Sequence, residues 1–252
     1  MTTLHLRAKV SRMKKLFFIL TLTALVIGSG CARKERPLPL DERPMYGGET
    51  SAEIVSADSK RNGVVIRQTG SREAALKKTL DEALATYQRG YFELAIHRYN
   101  QAWLLDPKNP DVFNGFAIAL DAQGKADEAL AIYEKYLEIN PDHAMTLCRL
   151  ARQYQNKAVR GLVSSAPGHD AEDEARKLFE KTFALYEKAA AKAQSEADLS
   201  FIDYQWAIAL AVKQDYAGAW EKVHLSKKHG GQFIETQFIN ALSKDMPEPH
   251  ET

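Results

Sequence analysis

Residues 90–107 read GYFELAIHRYNQAWLLDP and residues 124–141 read GKADEALAIYEKYLEINP, and the two stretches repeat one plan at an interval of 34 residues. Gly90, Ala95, Tyr99 and Pro107 are matched by Gly124, Ala129, Tyr133 and Pro141. Each stretch opens on a glycine that stops the helix before it. Each closes on a proline, which lacks an amide donor and clashes with the preceding turn. Between them, Phe92, Ala95, Ile96, Tyr99, Ala102 and Trp103 share one helical face in the first stretch. Ala129, Ile132, Tyr133, Tyr136 and Leu137 do so in the second. A period of this length belongs to stacked helix pairs, none of which can bury its apolar face alone.

Working outward, each stretch is preceded by a partner helix. Ser71 is an N-cap with Glu73 in the first turn, and Leu76, Leu80, Ala83, Leu84 and Tyr87 lead up to Gly90. Val112, Phe113, Phe116, Ala117 and Leu120 lead up to Gly124. Alanine at 95 and 129 lets neighbouring helices approach, and Tyr99 and Tyr133 fill the gaps between layers. These residues resemble the tetratricopeptide repeat: Ala117 stands at the small position of the first helix, Gly124 at the turn, Ala129 at the close contact, Tyr133 at the aromatic position and Pro141 at the end. The first unit departs from the pattern at Thr79 and Glu82, where larger apolar residues are common.

A third unit starts at Ala144 with Leu147, Leu150, Ala151 and Tyr154 on one face. It then reads as a loop insertion around 159–170 containing Gly161, Pro167 and Gly168, after which Asp170 caps a helix through Phe179, Phe183, Leu185 and Tyr186. A degenerate fourth unit has Trp206, Ala207 and Leu210 on its first helix and Ala219, Trp220 and Val223 on its second. Phe233, Ile234, Phe238, Ile239 and Leu242 then form a capping helix, and the chain frays after Pro247. The expected fold is all-α, a helical-hairpin solenoid of about four helix pairs plus a C-terminal cap over residues 71–246, with residues 247–252 as a tail.

The N-terminus reads as an export signal over residues 1–30. Arg7, Lys9, Arg12, Lys14 and Lys15 precede an apolar run from Leu16 to Gly28, too short to span a bilayer comfortably. Met13-Lys14-Lys15 directly before that run reads as a complete signal start, which makes Met13 an expected alternative start. Val26-Ile27-Gly28-Ser29-Gly30-Cys31 resembles the lipobox of bacterial lipoproteins, with Gly28 where leucine is usual. The resemblance implies a diacylglycerol on the Cys31 sulfur and cleavage before it; ordinary secretory cleavage after Gly28-Ser29-Gly30 is the alternative. Ala32, where aspartate would signal inner-membrane retention, implies the periplasmic face of the outer membrane. Residues 31–70, with Pro37, Pro39, Pro44, Gly47 and Gly48, read as a flexible tether with short structure around Ala52 to Lys60. A tether of about 40 residues spans roughly 35 Å on average and about 130 Å stretched.

Charge and motif content narrow the function. Without residues 1–30, 29 basic residues stand against 33 acidic, which argues against a nucleic-acid partner. His97, His143, His169, His224, His229 and His250 are scattered, and no phosphate loop, Gly-x-Ser-x-Gly turn or paired-cysteine motif is present. Glu221 and His224 have a metal-binding spacing but lack the second pair such sites need. Glu172, Asp173 and Glu174 are acids that favour a helix start. Cys148 reads as a small apolar group. No enzymatic activity, no metal and no cofactor are expected beyond the lipid on Cys31.

In this family the first helix of each pair lines a concave groove. The resemblance places Asp111, Asn114, Ile118 and Asp121 there from the second unit, and Cys148, Arg149, Arg152 and Asn156 from the third. Arg149 and Arg152 suit carboxylates of a bound peptide. One version of the groove grips a C-terminal carboxylate with fixed Lys, Asn and Arg residues. Here Leu80, Leu84, Gly115 and Met145 hold most of those places and only Arg149 agrees, so that ligand is not expected. Similar lipoproteins act as assembly factors for secretion channels or pili, or as adaptors for wall-modifying enzymes. The expected role is a lipid-anchored interaction scaffold for a polypeptide partner; the alternative is an enzyme or enzyme subunit with chemistry in the tether or the 159–170 insertion.

Overall fold

The computed structural model describes residues 39–48, 52–164 and 169–249, and every regular element among them is a helix. The described chain divides into two compact units that meet in sequence between Ile139 and Asn140. The first contains two short 3-10 turns, Leu40–Glu42 and Pro44–Gly48, and helices α1 (Ala52–Thr69), α2 (Arg72–Gln88), α3 (Phe92–Leu105), α4 (Pro110–Ala122) and α5 (Ala126–Ile139). The second contains α6 (Ala144–Ser164), α7 (His169–Lys192), α8 (Glu196–Val212), α9 (Tyr216–Lys228) and α10 (Thr236–Asp245). No described helix is long and apolar enough to cross a membrane.

The hairpins form where the period places them. Ser71 accepts a hydrogen bond from the Ala74 amide at the start of α2, and Asn109 accepts one from Asp111 ahead of Pro110 at the start of α4. On α4 Val112, Phe113, Phe116, Ala117 and Leu120 are all buried, as are Ala129, Ile132, Tyr133 and Tyr136 on α5. Ring pairs knit the layers: Tyr99 meets Phe116 at 6.0 Å and Phe113 meets Tyr136 at 5.1 Å. On α2 the buried stripe is Ala75, Thr79 and Ala83, whereas Leu84 is exposed. Thr79 fits because its hydroxyl donates to the Ala75 carbonyl, which satisfies it inside its own helix.

One turn recurs in both units. Gly90, Gly124 and Gln214 take the left-handed conformation, with φ of 82°, 78° and 68°. At each, the following amide reaches back five residues: Tyr91 to the Thr86 carbonyl, Lys125 to Leu120 and Asp215 to Leu210. The degenerate unit therefore has the repeat's turn with glutamine in the place of glycine. A β-carbon in this conformation costs about 1 kcal/mol, so Gln214→Gly is expected to raise stability by about that amount in denaturant melts.

In the second unit α6 and α7 form a long antiparallel hairpin. The expected loop over 159–170 is corrected here: α6 continues as helix through Gly161 to Ser164, and α7 begins at His169, one residue before the expected cap Asp170. The reason is packing. Ala158 and Val159 are buried against Ala175, Phe179 and Val212, and this burial outweighs the roughly 1 kcal/mol that a glycine costs within a helix. At the base of the α8–α9 hairpin, the Ser200 and Ser226 hydroxyls each donate to the other's carbonyl, at 3.1 and 2.7 Å, a contact only small side chains allow. Phe238 and Leu242 of α10 complete the cluster around Tyr204, Trp220 and Val223, as a capping helix should. Beyond it Glu248 pairs with His224 and Lys227, a held contact where fraying was expected, and residues 250–252 lie outside the described residues.

The expectation of a tether over 31–70 does not hold for residues 40–48 and 52–69. α1 packs on α2 and α3, with Val65 buried beside Ala75 and Leu105. Arg72 donates to the Leu104 and Leu105 carbonyls, closing the C-terminus of α3. The Tyr46 ring is fully buried, and its hydroxyl donates to Asp58 at 2.7 Å. Burial by itself would raise the Asp58 carboxyl. Hydrogen bonds from His97, Tyr46 and Gln101, with the charge of His97, outweigh it and hold the group below its ordinary value of 3.8. Because the folded form depresses this value, the associated stability is complete above 3.8 and is lost as pH falls through the lower folded value. Thermal melts of wild type should therefore lose more stability below pH 3.8 than melts of Asp58→Asn.

Candidate functional site

The residues assigned to a groove divide between the two units, and each group is described within its own. On α4, Asp111 is exposed, and Asn114, Ile118 and Asp121 are half-buried, on the side away from the buried Phe113 and Phe116. Asn114 is oriented by Tyr133 of α5, whose hydroxyl donates to its Oδ1 at 3.2 Å. The carboxylates of Asp111 and Asp121 make no hydrogen bond or ion pair among the described residues. α2 packs directly beside α4, and burial together with the fields of Tyr87 and Asp111 raises the Tyr99 phenol well above its ordinary range. Gly115 sits on the Tyr99 ring, where an added β-carbon would overlap it, so the α3–α4 approach depends on glycine.

On α6, Arg152 is exposed, and Arg149 and Asn156 are half-buried. Spacings of three and four place all three on one helical face. Neither arginine makes a hydrogen bond or ion pair among the described residues. Directly beside them, Cys148 is fully enclosed; burial pushes its thiol up to about 12, and the nearby charges of Arg149 and Arg152 only partly oppose this. The hydroxyl of buried Tyr186 also feels the Arg152 charge and has no hydrogen-bond partner among the described residues. What the arrangement can do chemically is accept carboxylates at two forked guanidinium groups over an apolar floor. Cys148 should resist thiol reagents in the native protein at pH 8 and react fully once unfolded, measured by alkylation and mass spectrometry.

Histidines take structural partners. His143 uses Nδ1 to accept from the Thr146 amide and so caps α6. His229 Nδ1 lies 3.0 Å from Asp203 Oδ2, and Lys222 lies 3.3 Å from the same carboxylate while its ammonium sits 3.7 Å above the Trp206 ring. His224, spaced for a metal with Glu221, lies instead 2.9 Å from Glu248. Among the described residues no group of three or more His, Cys, Asp and Glu side chains could hold a metal ion. Sequence reasoning missed the cluster of Tyr46, Asp58, His97 and Gln101, since its polar residues lie in stretches read as tether and as helix surface. Cys31 lies outside the described residues, and so does part of the 159–170 segment.

Compared with known proteins, residues 81–148 match the family model described as tetratricopeptide repeat. This match covers the C-terminal part of α2, from residue 81, then all of α3, α4 and α5, and the start of α6. No curated protein matches the chain.

Proposed function

Because the chain carries tetratricopeptide repeats over residues 81–148, and such repeats mediate contact between proteins, we propose that it is a lipid-anchored scaffold of a bacterial envelope. Its contact surfaces for polypeptide are the exposed face of α4 in the first unit and, taken by itself, that of α6 in the second, and it performs no chemistry of its own. The observation that carries this reading is the state of those faces. Their opposite sides are packed, yet Asp111, Asp121, Arg149 and Arg152 stand at the surface without a hydrogen-bond or ion-pair partner among the described residues. Charged side chains left unpaired on a rigid helical support can engage a partner with little ordering cost. Arg149 and Arg152 favour acidic residues of that partner, and Asp111 and Asp121 favour basic ones.

Anchoring rests on the order of basic cluster, apolar run, small residues and Cys31. The lipid holds the protein at the periplasmic face of the outer membrane, where it serves assembly of secretion, pilus or wall machinery. The full-length chain expressed in a Gram-negative host should incorporate a palmitate analogue. Its mature mass should correspond to loss of residues 1–30 plus a modified Cys31, and Cys31→Ala should abolish the label. A mature chain with an unmodified Cys31 contradicts anchoring. An Arg149→Glu, Arg152→Glu variant that binds the partner as well as wild type contradicts the assigned face.

A further inference from the structure

Residues 40–48 dock on α3 through side chains, with Met45 and Tyr46 buried and Asp41 lying 3.7 Å from His97. Asn100 is fully buried, and its amide donates to the Asp41 and Arg43 carbonyls at 2.9 and 2.8 Å. Tyr46 reaches past Trp103, ring to ring at 6.5 Å, to place its hydroxyl on Asp58 of α1. Asp58 is fixed in turn: Gln101 donates to Oδ1 at 2.7 Å, and His97 Nε2 lies 3.1 Å from Oδ2. The backbone resists this placement. Met45, Tyr46 and Gly47 have φ of 53°, 56° and 67°, and Gly48 follows at 79°. Two of those four residues carry side chains that disfavour the left-handed region.

A strained segment seated through a few side-chain contacts, the buried Tyr46 phenol and Asn100 amide among them, has two states, docked and released. We propose that residues 40–48 are a releasable strap, seated in a socket built by α1 and α3 for a tyrosine ring, that sets where the preceding chain leaves the folded domain. Its release adds about nine residues of free chain, roughly 30 Å when extended. The charged groups facing the socket are Asp41 of the strap, Asp58 and Arg61 of α1, Glu82 of α2, and His97 and Arg98 of α3. Arg61 is taken up by Glu82 at 2.7 Å, which leaves Asp58 to Tyr46, His97 and Gln101. This inference does not depend on lipid at Cys31, although an anchored protein would convert release into reach from the membrane.

The test is hydrogen exchange followed by mass spectrometry on the full-length chain, comparing wild type with Tyr46→Phe. The reporting amides are those of Glu42, Arg43 and Tyr46, which donate to Pro39, Leu40 and Arg43 within the strap. Losing the hydroxyl bond to a charged acceptor should speed their exchange about tenfold or more while amides of α4 and α5 keep their wild-type rates. Tyr46→Ala should abolish strap protection, again without change in α4 and α5. Strap rates unchanged in Tyr46→Phe overturn the proposal. So does equal acceleration of strap and α4–α5 amides, which would make the segment an inseparable part of the core.

Discussion

Trp220→Ala is expected to destabilise the unit formed by α6–α10 by about 3–5 kcal/mol, among the larger effects a single substitution can have. Trp220 is fully buried amid Tyr204, Ala219, Val223, Phe238 and Leu242, and its indole N–H donates to the Met246 carbonyl at 2.9 Å. Truncation opens a cavity between the α8–α9 hairpin and α10 and leaves that carbonyl unpaired. The melting temperature should fall by about 10 °C or more. Trp220→Phe, which loses the hydrogen bond and part of the ring, should cost markedly less. A Trp220→Ala melt within about 2 °C of wild type would mean that α10 is not packed as a cap.

Gly115→Ala tests the other unit, and its sign is diagnostic. On a free helix surface alanine is better than glycine by about 1 kcal/mol. Here the new β-carbon overlaps the Tyr99 ring, and both Gly115 and Tyr99 are buried. Either the ring or α4 must move, so the substitution should destabilise by about 2–3 kcal/mol in urea titrations. Combined with Tyr99→Ala, which removes the ring, the same change should cost little or become favourable. Additive losses in the double variant would contradict the contact.

Helices α3, α4 and α5 were legible because local and long-range signals coincide there. Glycine turns, proline stops and small or aromatic residues recur at one interval, and each has a separate physical reason. α1 and the strap were not legible because their attachment is polar. Asp58, Asn62, Asn100 and Gln101 are buried and hydrogen-bonded, yet in a sequence they look like solvated residues. Pro44, Gly47 and Gly48 suggested a loose chain, where they in fact shape a fixed left-handed turn. At Gly161 the reading followed local propensity, and tertiary burial of Ala158 and Val159 prevailed. On α2 the periodic residues were read as Leu76, Leu80, Ala83, Leu84 and Tyr87, whereas the fully buried ones are Ala75, Thr79 and Ala83. Small residues meet the neighbouring helices, Leu76 and Leu80 are half-buried, and Leu84 is left toward solvent.

The groove residues were reachable only through repeat position. Burial separates Cys148, which is enclosed, from Arg149, Arg152 and Asn156, which are accessible. Nothing in the local spelling of α6 distinguishes them. Partner capture is best tested by photo-crosslinking from positions 118 and 156 in cells expressing the full-length chain. Controls at the exposed Lys135 and Lys177 lie on α5 and α7, the second helices of their pairs. Polypeptide adducts at 118 and 156 but not at 135 and 177, with the 156 adduct lost in Arg149→Glu, Arg152→Glu, are the predicted result. Adducts of equal yield at all four positions, or none at 118 and 156, would contradict capture through these faces.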